Sequence, residues 1–330
     1  MVSTSRTIRG ERILIVSSTV MAERAPEQSI ASTSRPWTTR RLLTWMTEYF
    51  TEREIDSPRV VAELLLSHVI GCERMRLYME VDRPAAPLEL ETLRALVKRA
   101  GRHEPAQYLV GEWHFFGRTF EVDRSTLIPR PSTETLIEAV LSWHKTAGQS
   151  GSEPLIADIG TGTGCIAVTL AAQIPEAHLI ATDPVAEALE LAERNAARHK
   201  VGDRITFASG RGLEPLEAGP PGRRFAVICS NPPYISDAEW EKLEPNVREY
   251  EPATALRGGQ DGLEIVRPLV AGAGRLLKPG GLLAIEIGHH QKEAALALVK
   301  ETADLEHGEV LKDTEGFWRV LLARKRLQAE

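Results

Sequence analysis

Hydrophobic residues recur at the spacing of an α-helix in three stretches of the first third of the chain. These stretches, 38–54, 58–70 and 87–100, predict three amphipathic helices. Their predicted buried faces are Leu42, Leu43, Met46 and Phe50, then Val61, Leu64, Leu65 and Ile70, then Leu90, Leu93, Leu96 and Val97. Ser57 is the expected N-cap of the second helix and Gly71 its expected end. Three short helices with little chain between them predict a small helical domain.

The pattern changes after residue 103. Short apolar runs at 108–110, 113–116 and 119–122 favour strands, and the two prolines of Pro129-Arg130-Pro131 end any helix. These features predict a linker with short strands.

From about residue 133 onward, apolar strands alternate with helices. The predicted strands are 155–159, 178–182, 205–209, 225–230 and 281–287, and the predicted helices are 135–143, 166–172, 185–198, 263–277 and 290–302. Segments 309–312 and 318–323 predict an antiparallel pair, and the Gly- and Pro-rich stretch 214–224 predicts a loop. Alternating strands and helices predict an α/β fold, with a mainly parallel sheet covered on both faces.

These patterns divide the chain of 330 residues into four parts. Residues 1–36 are expected to be a disordered extension, in which Met21 is a second candidate start. Residues 37–103 form the helical domain, 104–131 the linker and 132–330 the sheet domain.

Composition and charge exclude several classes of function. The net charge of −6 is unlike that of proteins that bind duplex nucleic acid through a basic surface, so we expect no direct DNA binding. No run approaches the roughly 18 apolar residues of a membrane-spanning helix, so no membrane association is expected. Cys72, Cys165 and Cys229 are far apart, which indicates free thiols in a reducing cytoplasm. His289 and His290 lack partners at metal-ligand spacing, so no metal is expected.

A glycine-rich turn follows the first strand of the predicted sheet. Its residues are Gly160, Thr161, Gly162, Thr163 and Gly164. Glycine lets the backbone turn sharply and approach a ligand closely. Asp183 ends the next strand, where an acid can accept both ribose hydroxyls of a nucleoside. This pattern predicts a nucleoside-containing cofactor but leaves S-adenosylmethionine and NAD open.

The tetrapeptide Asn231-Pro232-Pro233-Tyr234 follows the buried strand 225–230. Ligands of open parallel sheets bind beyond the carboxyl ends of the strands, so we expect the tetrapeptide beside the glycine turn. These residue types suit methylation of an amide or aromatic amine nitrogen, whose delocalised lone pair makes it a poor nucleophile. Asn231 and the carbonyl of Pro232 would accept the two N–H groups, and Tyr234 would stack on the flat acceptor. Catalysis would then be mainly positioning.

Taken together, these motifs resemble the glutamine methyltransferases that modify peptide-chain release factors. The resemblance runs from about Thr38 to Arg324. Besides the two motifs above, the segments that match are 104–108, 111–113, 127–131, 133–134, 251–252, 258–262, Gly316 and 319–320.

The resemblance implies a seven-stranded Rossmann-like sheet of the class I S-adenosylmethionine methyltransferases, with 132–330 as the catalytic domain and the helical domain holding the partner. It implies S-adenosylmethionine as cofactor, class-1 release factors as partners and the glutamine of their Gly-Gly-Gln loop as acceptor. The implied cofactor-binding residues are Gly160, Thr161, Gly162, Thr163, Gly164, Asp183 and Asn231, and the implied substrate-binding residues are Asn231, Pro232, Pro233 and Tyr234. Asn231, Pro232 and Tyr234 are the implied catalytic residues.

Two positions depart from the family pattern. Ser132 stands where the family usually has an acid. Ser209-Gly210-Arg211-Gly212 stands where many methyltransferases have an acid or an aromatic residue beside the adenine, so Arg211 is the positional candidate for that contact.

Three alternatives remain open. The first is methylation of a ribosomal-protein glutamine, and the second is methylation of an exocyclic amino group in nucleic acid. The third is a binding module that has kept the fold but lost the chemistry. Pro129-Arg130-Pro131 and Gly258-Gly259 count against the first, the acidic chain against the second, and the intact Asn231 and Asp183 against the third.

Overall fold

The computed structural model of the protein describes residues 36–146 and 153–327, so the predicted extension and the alternative start at Met21 lie almost wholly outside the described residues. Five helices make up the N-terminal region from residue 36 onward. They are α1 Thr39–Thr51, α2 Pro58–Ile70, α3 Arg74–Met79, α4 Pro87–Ala100 and α5 Ala106–Val110. Their apolar faces form one buried cluster that runs from Leu42 to Leu109.

The prediction for the second helix was partly wrong. Its most buried apolar residues are Ala62, Leu65 and Leu66, whereas Val61, Leu64 and Ile70 of the predicted face are only half-buried. The buried face is displaced because it includes Glu63, a charged residue that Arg59, Arg74 and Tyr78 engage by hydrogen bonds. A buried carboxylate with three such partners is tolerated where an isolated one is not. Gly71 ends the helix with a φ of 71°, as predicted.

Two further local predictions were wrong. Ser57 does not cap the second helix, because its φ is 48° and its hydroxyl donates to Asp56 Oδ2 (3.2 Å). Residues 108–110 lie in helix α5 and not in a strand. Ala106 and Leu109, three positions apart, both face the helical cluster, and Gly111 ends the turn with a φ of 80°.

The rest of the chain forms a two-stranded hairpin and a seven-stranded sheet. The strands are β1 Glu112–Phe115, β2 Arg118–Glu121, β3 Leu155–Ile159, β4 His178–Asp183, β5 Ile205–Ser209, β6 Phe225–Ser230, β7 Leu277–Glu286, β8 Leu305–Lys312 and β9 Trp318–Lys325. The sheet order is β5-β4-β3-β6-β7-β9-β8, with β9 antiparallel to both of its neighbours. The predicted fold class is confirmed, and so are all the predicted strands apart from 108–110.

Helices cover both faces of this sheet. The helices that follow the hairpin are α6 Glu134–Thr146, α7 Cys165–Gln173, α8 Ala186–Arg198, α9 Glu214–Glu217, α10 Asp237–Trp240, α11 Pro245–Tyr250, α12 Val266–Leu276 and α13 Lys292–Glu301. One core cluster joins α6, α7 and α8 to the first face, and a second joins α12 and α13 to the other. The short helix α9 lies in the stretch predicted as a loop. No helix among the described residues is long and apolar enough to cross a membrane.

The order of the strands places two loops side by side. From β3 the chain proceeds outward through β4 and β5, then returns to β6 on the other side of β3. Strands β3 and β6 are parallel neighbours, with Ile159 opposite Ser230. This is the point where ligands bind in open α/β sheets. The glycine turn after β3 and the tetrapeptide after β6 therefore begin next to each other.

Candidate active site

A cavity of about 270 Å³ lies beyond the carboxyl ends of β3, β4 and β6. The predicted site residues that line it are Gly160, Thr161, Gly162, Thr163, Asp183, Arg211, Asn231, Pro232 and Pro233. Gly164 and Tyr234 are not among its lining residues. The structure thus brings both motifs to one cavity, while the binding role of each residue stays a prediction.

Backbone hydrogen bonds to the neighbouring strand β4 fix the conformation of the glycine turn. The amides of Gly160 and Thr161 both donate to the carbonyl of Thr182 (2.8 and 2.9 Å). Gly160 has a φ of 72°, and a Cβ there would meet no atom within 4 Å. A positive φ favours glycine, and the open space around Gly160 leaves the backbone approachable by a ligand.

Asp158 supports the same turn from beneath. Its Oδ2 accepts hydrogen bonds from Thr161 Oγ1 (2.6 Å) and the amide of Ala167 (3.2 Å), whereas its Oδ1 is buried and has no partner among the described residues. Burial raises the pKa of Asp158 to about 7, although the bonds from Thr161 and Ala167 favour the ionised form.

Asp183 connects the second strand to the turn. Its Oδ2 accepts from the amide of Gly162 and its Oδ1 from the amide of Val185, each at 3.0 Å. Burial raises the pKa of Asp183, and these two bonds oppose that rise. Each carboxylate oxygen can accept more than one hydrogen bond, so Asp183 can still accept hydrogen bonds from the hydroxyl groups of a ligand in the cavity.

Gly164 and Arg211 occupy different surroundings. Gly164 has a φ of 78°, and a Cβ on it would lie 3.1 Å from the Cβ of Ala192, so both its backbone conformation and the close packing of α7 on α8 favour glycine. Arg211 is exposed at the cavity in the loop after β5. Its contact with an adenine stays a prediction.

Asn231 has one end of its amide engaged and the other free. Its Nδ2 donates to Thr133 Oγ1 (3.1 Å), and its Oδ1 accepts no hydrogen bond from any described residue. The carbonyl of Pro232 likewise has no donor among the described residues, and both residues line the cavity. The motif therefore offers two acceptors that have no donor among the described residues, on two residues that line the same cavity.

Tyr234 has surroundings that the sequence analysis did not foresee. Its hydroxyl donates to Oε1 of Glu286 (3.1 Å), a residue with 0% exposure at the end of β7. Burial raises the pKa of Tyr234. Tyr234 does not line the cavity, and its predicted stacking on the acceptor stays a prediction.

The loop at 258–262 packs against the backbone of the tetrapeptide. A Cβ on Gly258 would lie 2.7 Å from the carbonyl oxygen of Pro233, and one on Gly262 would lie 2.2 Å from that of Tyr234. Gln291 Nε2 donates to the same Tyr234 oxygen (2.9 Å). These two glycines are therefore required by the close approach of two backbone segments.

A buried ion pair joins two further walls of the cavity. Glu251, whose side chain is 1% exposed, accepts from the amide of Ile128 (3.1 Å) and pairs with Arg130. It thereby ties the segment 125–133 to the loop that carries Thr254 and Ala255, and both line the cavity. Sequence reasoning matched these segments by resemblance, but neither segment carries a periodic or charge pattern that shows a contact between them.

Replacing Gly262 with alanine tests the close approach of this loop. We expect Gly262→Ala to destabilise the fold by roughly 2 kcal/mol or more and to lower activity, because its Cβ would displace the Tyr234 carbonyl. Gly117→Ala is the matched control, since Gly117 has a similar φ of 70° but open space around it. Thermal unfolding and activity of both variants check this, and equal effects would contradict the steric account.

The buried Asp158 predicts a pH effect on the stability of the protein without ligand. Because its pKa is raised, the folded protein holds a proton on Asp158 at pH values where the unfolded chain has released it. The stability that this proton contributes is lost as the pH rises through about 7. The Asp158→Asn variant has no titratable group at this position, so it lacks this dependence on pH. We expect the stability of Asp158→Asn relative to wild type to rise by roughly 2 kcal/mol between pH 5 and pH 8. Unfolding at both pH values checks this, and a constant difference would contradict it.

Comparison with known proteins agrees with this geometry. Residues 41–111 match the family model of the PrmC N-terminal domain, and residues 136–244 match that of the methyltransferase small domain. A release factor glutamine methyltransferase of Geobacter sulfurreducens is 42% identical to this chain over 266 residues, which cover 81% of this chain and 89% of that protein. Another, from Rhodopirellula baltica, is 37% identical over an alignment that covers 89% of this chain and 98% of that protein.

Among solved structures, a human methyltransferase 10 domain containing protein aligns with a TM-score of 0.47 at 17% identity, over 65% of this chain and 90% of that one. A likeness at this level carries no argument about function. The curated relatives share more than a third of their residues with this chain over most of its length, and they cover both the helical region and the sheet. The chain therefore belongs to the family of release factor glutamine methyltransferases.

Proposed function

We propose that this protein uses S-adenosylmethionine to methylate the side-chain amide nitrogen of the glutamine in the Gly-Gly-Gln motif of class-1 release factors. The observation that carries the proposal is the pair of free acceptors, Asn231 Oδ1 and the Pro232 carbonyl, in one cavity with the glycine turn and Asp183. An amide nitrogen that bears two hydrogens needs two such acceptors.

The cavity residues fit S-adenosylmethionine, which supplies an electrophilic methyl group when bound. Gly160 offers an approachable backbone, and Asp183 can accept the ribose hydroxyls. Thr126 adds a buried hydroxyl at the cavity wall that has no partner among the described residues. Such an orphaned group is expected to find its partner in a ligand.

The acceptor nitrogen must be aimed, because its lone pair is delocalised into the carbonyl. Asn231 and Pro232 would each accept one N–H and so orient the nitrogen toward the methyl group. On taking the methyl group the nitrogen would become positively charged and would then release one proton to solvent, so no strong base is required beforehand. Positioning of this kind accounts for large rate effects in enzymes.

The identity of the acceptor rests on the relatives, which are named for release factor glutamine methylation. The helical region is the proposed docking element for the release factor. Met75, Tyr78 and Met79 of α3 and Leu88 of α4 are exposed apolar side chains on it. A nucleic-acid acceptor is disfavoured by the net charge of −6.

Competition between acceptors tests the proposed function. The purified enzyme would be incubated with tritiated S-adenosylmethionine and equal amounts of a release factor, a ribosomal protein and DNA. We expect label in the release factor. Label in the ribosomal protein or DNA alone would overturn the proposal.

Asp183→Ala tests the cofactor site. We expect this variant to lose about 1.5–3 kcal/mol of S-adenosylmethionine binding, the size of hydrogen bonds to a charged group. Calorimetry with S-adenosylmethionine and with NAD checks this, with Asp203→Ala, an exposed acid outside the cavity, as the control. A heat of binding with NAD and none with S-adenosylmethionine would contradict the assignment of the cavity to S-adenosylmethionine.

Asn231→Ala tests the acceptor site. We expect turnover to fall about 10²–10³-fold, since one positioning hydrogen bond to the reacting group is lost and alignment matters most in the transition state. Asn246→Ala in α11, away from the cavity, is the matched control. Turnover and melting temperature would be measured on the same preparation, and a lower melting temperature with unchanged turnover would leave Asn231 as a turn residue only.

A further inference from the structure

Glu286 is a buried acid next to the tetrapeptide, and it has no role in the reaction proposed above. It ends strand β7, it is 0% exposed, and it does not line the cavity. Its Oε2 accepts from Thr133 Oγ1 (2.7 Å) and its Oε1 from the hydroxyl of Tyr234 (3.1 Å), with Ser132 Oγ at 3.5 Å from the same oxygen. Every partner is therefore a donor, as an ionised carboxylate requires.

The direction of these bonds reaches Asn231. Thr133 has a single hydroxyl hydrogen, and it is donated to Glu286. Toward Asn231, Thr133 Oγ1 can then only accept, so the side chain of Asn231 must present its NH₂ group there. The two ends of an amide have nearly the same shape, and only its hydrogen bonds decide which end faces which way.

We propose that Glu286 is a positioning residue that sets the orientation of the Asn231 amide through Thr133. This orientation keeps Asn231 Oδ1 free to accept an N–H of the acceptor glutamine, so the inference rests on the proposed function. A reversed amide would present its own N–H groups to those of the acceptor. Two donors would then face each other without a hydrogen bond between them.

The charges around Glu286 agree with this role. Burial raises its pKa, while the hydrogen bonds from Thr133 and Tyr234 and the positive charge of Arg319 oppose that rise. Arg319 is itself held by Asp313 (Nε to Oδ2, 3.1 Å). Arg319 on β9 and the hydroxyl donors therefore offset part of the cost of burying the charge of Glu286.

Glu286→Gln tests the relay with little change of shape. Its new NH₂ group can donate to Thr133, whose hydroxyl then turns to donate to Asn231 and reverses that amide. We expect turnover to fall about 10–100-fold, the effect of one unsatisfied donor at the reacting group, with the KM for release factor and the affinity for S-adenosylmethionine changed less than about twofold. Thr133→Val should match this loss, whereas Thr133→Ser, which restores the hydroxyl, should recover most of the turnover.

A double-mutant cycle separates this role from general support of the fold. If Glu286 acts through Asn231, adding Glu286→Gln to Asn231→Ala should cause no further loss of turnover. Wild-type turnover in Glu286→Gln, or full additivity in the double variant, would overturn the relay. If the wild-type enzyme labels the ribosomal protein instead, the proposed function fails, and the same variants measured on that acceptor still decide the relay.

Discussion

The pairing of β3 with β6 is the constraint on which the site depends. The two strands are parallel neighbours with Ile159 opposite Ser230, and Ser230 Oγ donates to the carbonyl of Ile159 (2.7 Å). This bond lies at the last residue of each strand. The glycine turn and the tetrapeptide therefore leave the sheet side by side, and any movement of one strand end would separate the two motifs.

Buried carboxylates organise the loops beyond this pairing. Asp158 and Asp183 hold the glycine turn, Glu251 joins two walls of the cavity, and Glu286 lies beneath the tetrapeptide. Each of them accepts hydrogen bonds from backbone amides, hydroxyls or arginine. Burying a carboxylate is costly unless it accepts hydrogen bonds, so these loops have few alternative arrangements that keep the hydrogen bonds to all four acids. The cavity is consequently shaped by the protein itself.

The sheet could be predicted from the sequence because its strands are short apolar runs bounded by glycine, proline or polar residues. The bounds of β3, β5 and β6 were predicted to the residue, and the adjacency of the two motifs followed from the rule for open parallel sheets. The helical region was harder to predict. Periodicity missed α3 and placed the buried face of α2 one position off, because Glu63 is buried by partners that lie up to 15 residues away.

The contacts within the site were predictable only in part. Asn231, Asp183 and the glycines carry a local signal in residue type and spacing. Thr133 and Glu286 do not, because their roles arise from contacts across 98 and 52 residues of chain. The hydrogen bond from the Tyr234 hydroxyl to Glu286 carries no local signal either, while the stacking of its ring on the acceptor stays a prediction. A motif names the residues at a site, and only the fold shows which of them face the ligand.

The most direct test of the central claim is to locate the transferred methyl group. A release factor methylated by this enzyme would be digested and its peptides sequenced by tandem mass spectrometry. The account predicts one added methyl group on the side-chain nitrogen of the glutamine in the Gly-Gly-Gln peptide. A methyl group on a lysine, a carboxylate or any other glutamine would contradict it.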